Sequence, residues 1–153
     1  MGFDVYGLKP KVNTKKPKTL NKYQNKDGFT EWNKMDDDDR DIYFKAQNEY
    51  HESNPGIYFR SNVWWWRTLW DYTCTVCSDI LTRNDIISGQ YNDGKTISKT
   101  KVNKMVKALK EAETNGYLNE FESKHEDESY PFSVEVTIEF RKFLEESGGI
   151  EIC

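Results

Sequence analysis

Apolar residues fall along this chain in short blocks of different period. Residues 2–8, G-F-D-V-Y-G-L, alternate apolar and polar in the manner of a short strand. Over 36–50, Ile42, Tyr43, Ala46 and Tyr50 recur at helical spacing behind a run of Asp at 36–39, and negative charge favours a helix's first turn. Asn54-Pro55-Gly56 stops that helix, and Ile57-Tyr58-Phe59 reads as a buried strand. Ser61 or Asn62 can cap a long helix over 62–81. A short helical turn fits within 82–90, and Tyr91-Asn92-Asp93-Gly94 signals a chain reversal. Ser98 can cap a helix whose face is Val102, Met105, Val106, Leu109 and Ala112, with Gly116 at its end. Residues 117–129 are charged and fit neither period.

Residues 132–140 conflict. Alternation of Val134, Val136, Ile138 and Phe140 argues strand, whereas Ser133 as a cap, Phe143 and Leu144 on one face and Gly148-Gly149 as a stop argue helix. The last five residues, G-I-E-I-C, read as a strand. Together the blocks predict an α+β fold, a mainly helical single domain over 1–153 with a small minor β-sheet near the two termini. Three or four main helices surround a sheet drawn from 2–7, 56–60 and 149–153. Residues 9–29, rich in Lys, Asn, Thr and Pro with few apolar anchors, read as a Lys-rich arm or long loop.

The segment V-W-W-W-R-T-L-W at 63–70 is the most informative. Successive helical residues are about 100° apart, so three consecutive Trp cannot share a face. Trp65, Leu69, Tyr72, Val76 and Ile80 form one stripe, and Val63, Trp66, Trp70, Cys74 and Cys77 the stripe beside it. Trp64 is left on the polar side with Arg67, Thr68, Asp71 and Thr75. It either lines a pocket, where a flat ligand would stack on it beside Arg60, Arg67 and Asp71, or packs under a loop such as the Lys-rich arm while Arg67 and Asp71 pair.

Composition narrows the class. Five Trp, nine Tyr and eight Phe imply a core of large rings. A net charge of −4 with both signs abundant argues against nucleic-acid coating. No apolar run has membrane-spanning length, no signal-peptide pattern opens the chain, and three cysteines are too few for a disulfide scaffold, so a cytosolic setting is expected.

Chemistry-bearing motifs are weak. Cys74-Thr75-Val76-Cys77 supplies two zinc ligands of the four a structural site needs; His51, His125 and Cys153 add no second paired spacing, and core packing explains the pair as well. Asn92-Asp93-Gly94-Lys95-Thr96 before a helix could contact a phosphate or be a plain turn, and it lacks the spacing of a nucleotide loop. No catalytic constellation, cofactor motif or metal-binding spacing stands out, which weighs against an enzyme.

Several blocks resemble a family of proteins from tailed phages, notably those of cyanobacteria and other marine bacteria, and from bacterial genomes. They are G-F-D-V-Y-G-L-K-P at 2–10, N-P-G-I-Y-F-R-S-N-V-W-W-W-R-T-L-W-D-Y at 54–72, Y-N-D-G at 91–94, Y-P-F-S-V at 130–134 and S-G-G-I-E-I-C at 147–153. This chain carries Ser61 and Thr68 where the family pattern has Asn and Pro. It also lacks the cysteine-bearing zinc segment that many bacterial members insert before the Y-P-F block, so no zinc role carries over. The resemblance names no activity. It implies a phage product in the cytoplasm of an infected bacterial host, and it favours helix over 133–147.

The reading is therefore a phage accessory protein that binds a flat, anionic, nucleotide-like molecule without catalysis. Its expected ligand-binding residues are Asp4, Tyr6, Arg60, Asn62, Trp64, Arg67, Asp71, Asn92 and Asp93, six of which (Asp4, Tyr6, Arg60, Asn62, Trp64 and Asn92) are expected around one pocket. The alternative is a protein–protein interaction module acting on a host protein or in phage assembly, through the Lys-rich arm and the acidic patch.

Overall fold

A computed structural model describes residues 1–126 and 129–153. The chain divides into two compact units, one formed by residues 1–11 and 55–153, the other by residues 12–54.

The first unit is built on a four-stranded antiparallel sheet in the order β2-β1-β4-β3, with β1 at Gly2–Gly7, β2 at Tyr58–Asn62, β3 at Lys95–Ile97 and β4 at Ile150–Ile152. The expected minor sheet is present, with strands contributed from both ends of the chain, and β3 is an addition to it. Three residues are too few to show a period; β3 exists because Gly94 turns the chain and donates its N–H to the Ile152 carbonyl at 2.9 Å, which sets Ile97 opposite Ile150. Alternation gives the sheet a buried face of Phe3, Val5, Ile97, Ile150 and Ile152. Its other face carries Asp4, Tyr6, Tyr58, Arg60, Thr96 and Glu151.

Two helices, α3 (Val63–Val76) and α7 (Val134–Ser147), pack on this sheet; α5 (Lys99–Thr114) packs against both, and α6 (Tyr117–Lys124) against α5 and α7. The starts of α3, α5 and α7 follow from side-chain caps. The Asn62 side chain accepts the N–H groups of Trp64 and Trp65, Ser98 that of Lys101, and Ser133 that of Val136. The 132–140 conflict is settled as helix: Ser133 caps it and Gly148, at φ 65°, ends it left-handed. A Cβ at Gly148 would also lie 2.3 Å from the Lys9 carbonyl oxygen. The helix expected over 62–81 is shorter. It ends at Cys77, whose carbonyl accepts from Ile80 and Leu81 in a closing turn. The expected turn within 82–90 is α4 (Arg83–Ser88), opened by a reciprocal capping box between Thr82 and Asp85. Of the stretch 117–129, α6 takes the first part, and residues 127–128 lie outside the described residues.

The second unit contains α1 (Lys18–Asn21), a 3-10 turn at Trp32–Lys34 and α2 (Asp37–Ser53). Residues 12–29 are thus more than a bare arm: Leu20 is buried with Met35 and Tyr43, and Gln24 bridges to Thr30. Asn54, fully buried, holds the start of the unit to its end. Its Oδ1 accepts from Asn13 N at 2.6 Å and Thr14 N at 3.0 Å, and its Nδ2 donates to Thr14 Oγ1 and to the Tyr50 carbonyl, both at 2.8 Å. On α2 the buried face is Tyr43 with Ala46 and Tyr50 half-buried. Ile42, expected on that face, is instead exposed, because with Tyr43 pointing inward its neighbours are turned about 100° to either side.

Candidate functional site

The three consecutive Trp of α3 meet three environments. Trp66 is fully buried, stacked on Phe3 at 5.0 Å and on Trp70 at 5.5 Å with an 11° interplanar angle. Trp65 is half-buried. Trp64 stays 54% exposed, with one face stacked on Tyr130 at 5.4 Å and 21°. The loop over α3's polar side is therefore the Tyr130-Pro131 segment, which also accepts the Thr68 hydroxyl at the Pro131 carbonyl.

The two buried indoles reach out of the core to hold the segment carrying α4. Trp66 Nε1 donates to the Gly89 carbonyl at 2.9 Å, and Trp70 Nε1 to the Ile86 carbonyl at 3.0 Å. Both partners are backbone oxygens, so each indole N–H is satisfied without a second polar side chain. Between α3 and this segment lies a cleft of about 380 Å³. Its α3 wall is Trp66, Trp70, Arg67, Asp71 and Cys74; Ile86, Gln90 and Tyr91 form the opposite wall. That volume lies within the range of small-molecule sites.

Arg67 and Asp71, four residues apart on one helix face, do not form an ion pair. The Arg67 guanidinium turns to Tyr130 instead, with its carbon 5.7 Å from the ring centroid and a 3.4 Å hydrogen bond to the phenol oxygen. Among the described residues the Asp71 carboxylate has neither a hydrogen bond nor an ion pair, while its backbone carbonyl accepts from Thr75 Oγ1 at 2.8 Å. The cleft thus offers a cation, an open carboxylate, the Gln90 amide and aromatic walls. Burial pushes the thiols of Cys74 and Cys77 up to about 12, so neither is a thiolate at neutral pH.

Other expected ligand-binding residues lie elsewhere. On the open face of the sheet, Asp4 and Arg60 are cross-strand partners with Nε to Oδ1 at 3.8 Å; Tyr58 donates its phenol proton to Asp4, and Tyr6 packs on Tyr58 at 5.3 Å. Burial first, then the Asp4 charge, raises the Tyr6 phenol above its ordinary value. The Asn62 side-chain oxygen is engaged as the α3 cap. Asn92 donates to the Gly2 carbonyl at 3.2 Å, and Asp93 is exposed beside it in the turn. Of the nine, Arg67 and Asp71 line the cleft. Gln90, Tyr91, Ile86 and Trp70 complete it; Tyr91 had a signal only as the first residue of a turn.

Lys95, in the turn whose sequence would also suit a phosphate contact, faces a carboxylate. Asp85, 3% exposed, receives Lys95 Nζ at 2.9 Å and Lys101 Nζ at 2.5 Å. Burial by itself would raise its pKa, but the bonds from Lys101, Lys95 and Thr82 outweigh burial and hold it well below the ordinary aspartate range. Among the described residues no group of three or more His, Cys, Asp or Glu is arranged to hold a metal ion, and no helix is long and apolar enough to cross a membrane. Compared with known protein families, with curated proteins and with solved structures, the chain matches none.

Proposed function

We propose that this protein binds a flat, anionic, nucleotide-like small molecule in the cleft between α3 and the α4–Tyr91 segment, without catalysing a reaction on it. The observation that carries the reading is the pair of unjoined charges on one helix face, Arg67 and Asp71, set beside Trp70 and Tyr91. Arg67 suits a phosphate or carboxylate, Asp71 accepts from ring N–H groups, and the aromatic rings suit a planar body. A binding role rather than catalysis is favoured by the lining, which has no histidine and whose cysteine stays protonated. The blocks resembling tailed-phage proteins support an accessory role in the cytoplasm of an infected bacterium.

The test is calorimetric titration with the common nucleoside 5′-monophosphates, using wild type, Arg67→Ala and Tyr91→Ala. Micromolar binding by wild type, lost in both variants while their circular dichroism is unchanged, is the expected result. Wild type that takes up none of them at millimolar concentration sinks the reading. Mass spectrometry of small molecules released from protein purified from its bacterial host identifies a resident ligand directly.

A second reading, an interaction module acting on a host protein or in phage assembly, draws on the second unit. Trp32 and Phe44 stack at 5.5 Å and are both more than 40% exposed. Exposed paired aromatics are enriched where proteins meet. A Trp32→Ala, Phe44→Ala double variant that captures the same host proteins as wild type removes this reading.

A further inference from the structure

We infer that the cleft selects a guanine-type ring, a lactam N–H beside an exocyclic amine, carried on an anionic group. The inference rests on the cleft being a ligand site and adds which ligand it prefers.

Asp71 sets the pattern of donors that the cleft accepts. An ionised carboxylate accepts only, with two oxygens side by side. Exposed at the cleft and with no side-chain partner among the described residues, it is free to accept from a ligand that presents two adjacent donors. Guanine does so with N1–H and the 2-amino group. Adenine places the N1 lone pair against the carboxylate, uracil presents one N–H between two carbonyls, and cytosine pairs one amine with an acceptor. Gln90, on the facing wall, has an amide with no side-chain bond among the described residues, and its NH₂ can donate to the lactam carbonyl.

Arg67 supplies the second requirement. It lies one turn before Asp71, about 6 Å along the helix axis. A free guanidinium or amidinium compound would also satisfy Asp71, but the Arg67 charge in the same cleft repels it. A ligand neutral at its donor edge and anionic at the other end matches the −/+ order of the wall, and the hydrogen bond from Arg67 to Tyr130 holds the guanidinium at that end.

The test titrates wild type and Asp71→Asn with guanosine, inosine and adenosine 5′-monophosphates. Inosine monophosphate differs from the first only in lacking the 2-amino group. Wild type is expected to bind guanosine monophosphate roughly tenfold or more tightly than either analogue, since each lost bond to a charged acceptor leaves that acceptor unpaired. Asp71→Asn, at an exposed position, is expected to remove that preference. Equal binding of the three, or a preference for the adenosine compound, overturns the inference and leaves a nucleotide site standing. A guanosine preference that survives in Asp71→Asn overturns the role of Asp71. Binding of none overturns the site itself. Free arginine binding more tightly than any nucleotide shows that the donor edge belongs to a cation, and also overturns the inference.

Discussion

Gly89 lies flat against the ring of Trp70: a Cβ built on it would come within 2.1 Å of Cζ2 and 2.3 Å of Cε2. The contact is to a buried ring that also stacks on Trp66, so neither side can yield easily. The close approach lets both indole N–H groups reach backbone carbonyls of the α4 segment. Gly89 therefore sets the spacing between the two walls of the cleft.

Gly89→Ala is expected to cost about 1–3 kcal/mol, the range for forcing a methyl group into a packed site. Urea unfolding followed by far-UV circular dichroism measures it. A variant as stable as wild type shows that the α4 segment can shift away at no cost and that the cleft width is not set by this contact.

Trp66 and Trp64 are separated by one residue, and substituting them should give different results. Trp66→Ala empties a fully buried site and is expected to cost about 3–5 kcal/mol. Trp64→Ala removes a half-exposed stack on Tyr130 and is expected to cost about 1 kcal/mol. Equal losses in thermal unfolding contradict the assignment of their environments.

Asp85 makes stability depend on pH. Its folded pKa is held below the ordinary aspartate value of about 3.9, so its contribution is complete above that value and is lost as pH falls below it and through the folded pKa. Unfolding free energy measured between pH 6 and pH 2 is expected to show this fall, and Asp85→Asn to flatten it. At pH 7 the same variant is expected to lose about 3 kcal/mol, because Lys95 and Lys101 are left without their shared carboxylate. An unchanged pH profile in Asp85→Asn refutes the assignment.

Asn54→Ala removes three hydrogen bonds that tie the two ends of the second unit together, from Asn13 N, from Thr14 N and to Thr14 Oγ1, and a fourth to the Tyr50 carbonyl. A loss of about 1–3 kcal/mol is expected, confined to residues 12–54. Amide exchange resolves it. Faster exchange at Asn13, Thr14 and Leu20 with no change at Leu69 or Phe140 is the expected pattern, and a uniform change contradicts it.

Much of the helical framework was legible because its signals are local. Apolar residues at helical spacing behind a charged first turn marked α2 and behind a Ser cap marked α5, 132–140 carried the signals of strand and helix alike, and turns of about 100° per residue put Trp64 on the polar side of α3. The terminal strands were legible through alternation. Ile42 misled because one helical face can be drawn through either neighbour of Tyr43, and only the position of Leu20 and Met35 selects between them.

The candidate site was less legible. That Arg67 and Asp71 share a face follows from their spacing. That they do not pair follows from Tyr130, more than fifty residues later, which gives Arg67 another partner. The second wall of the cleft is held by bonds from Trp66 and Trp70 to the carbonyls of Gly89 and Ile86, and Asp85 becomes a buried ion centre only when β3 and α5 bring Lys95 and Lys101 to it. By itself, then, the sequence determined α2, α3, α5 and the terminal strands and most of their apolar sides, since caps, periods and alternation act between residues a few positions apart; 132–140 carried both periods, and β3 and α6 showed neither. Only the tertiary structure decided which charges stay open and where a cleft forms. A carbonyl acceptor looks the same at every residue, and the partner that completes a charge is chosen by distance in space, to which a one-dimensional pattern carries no key.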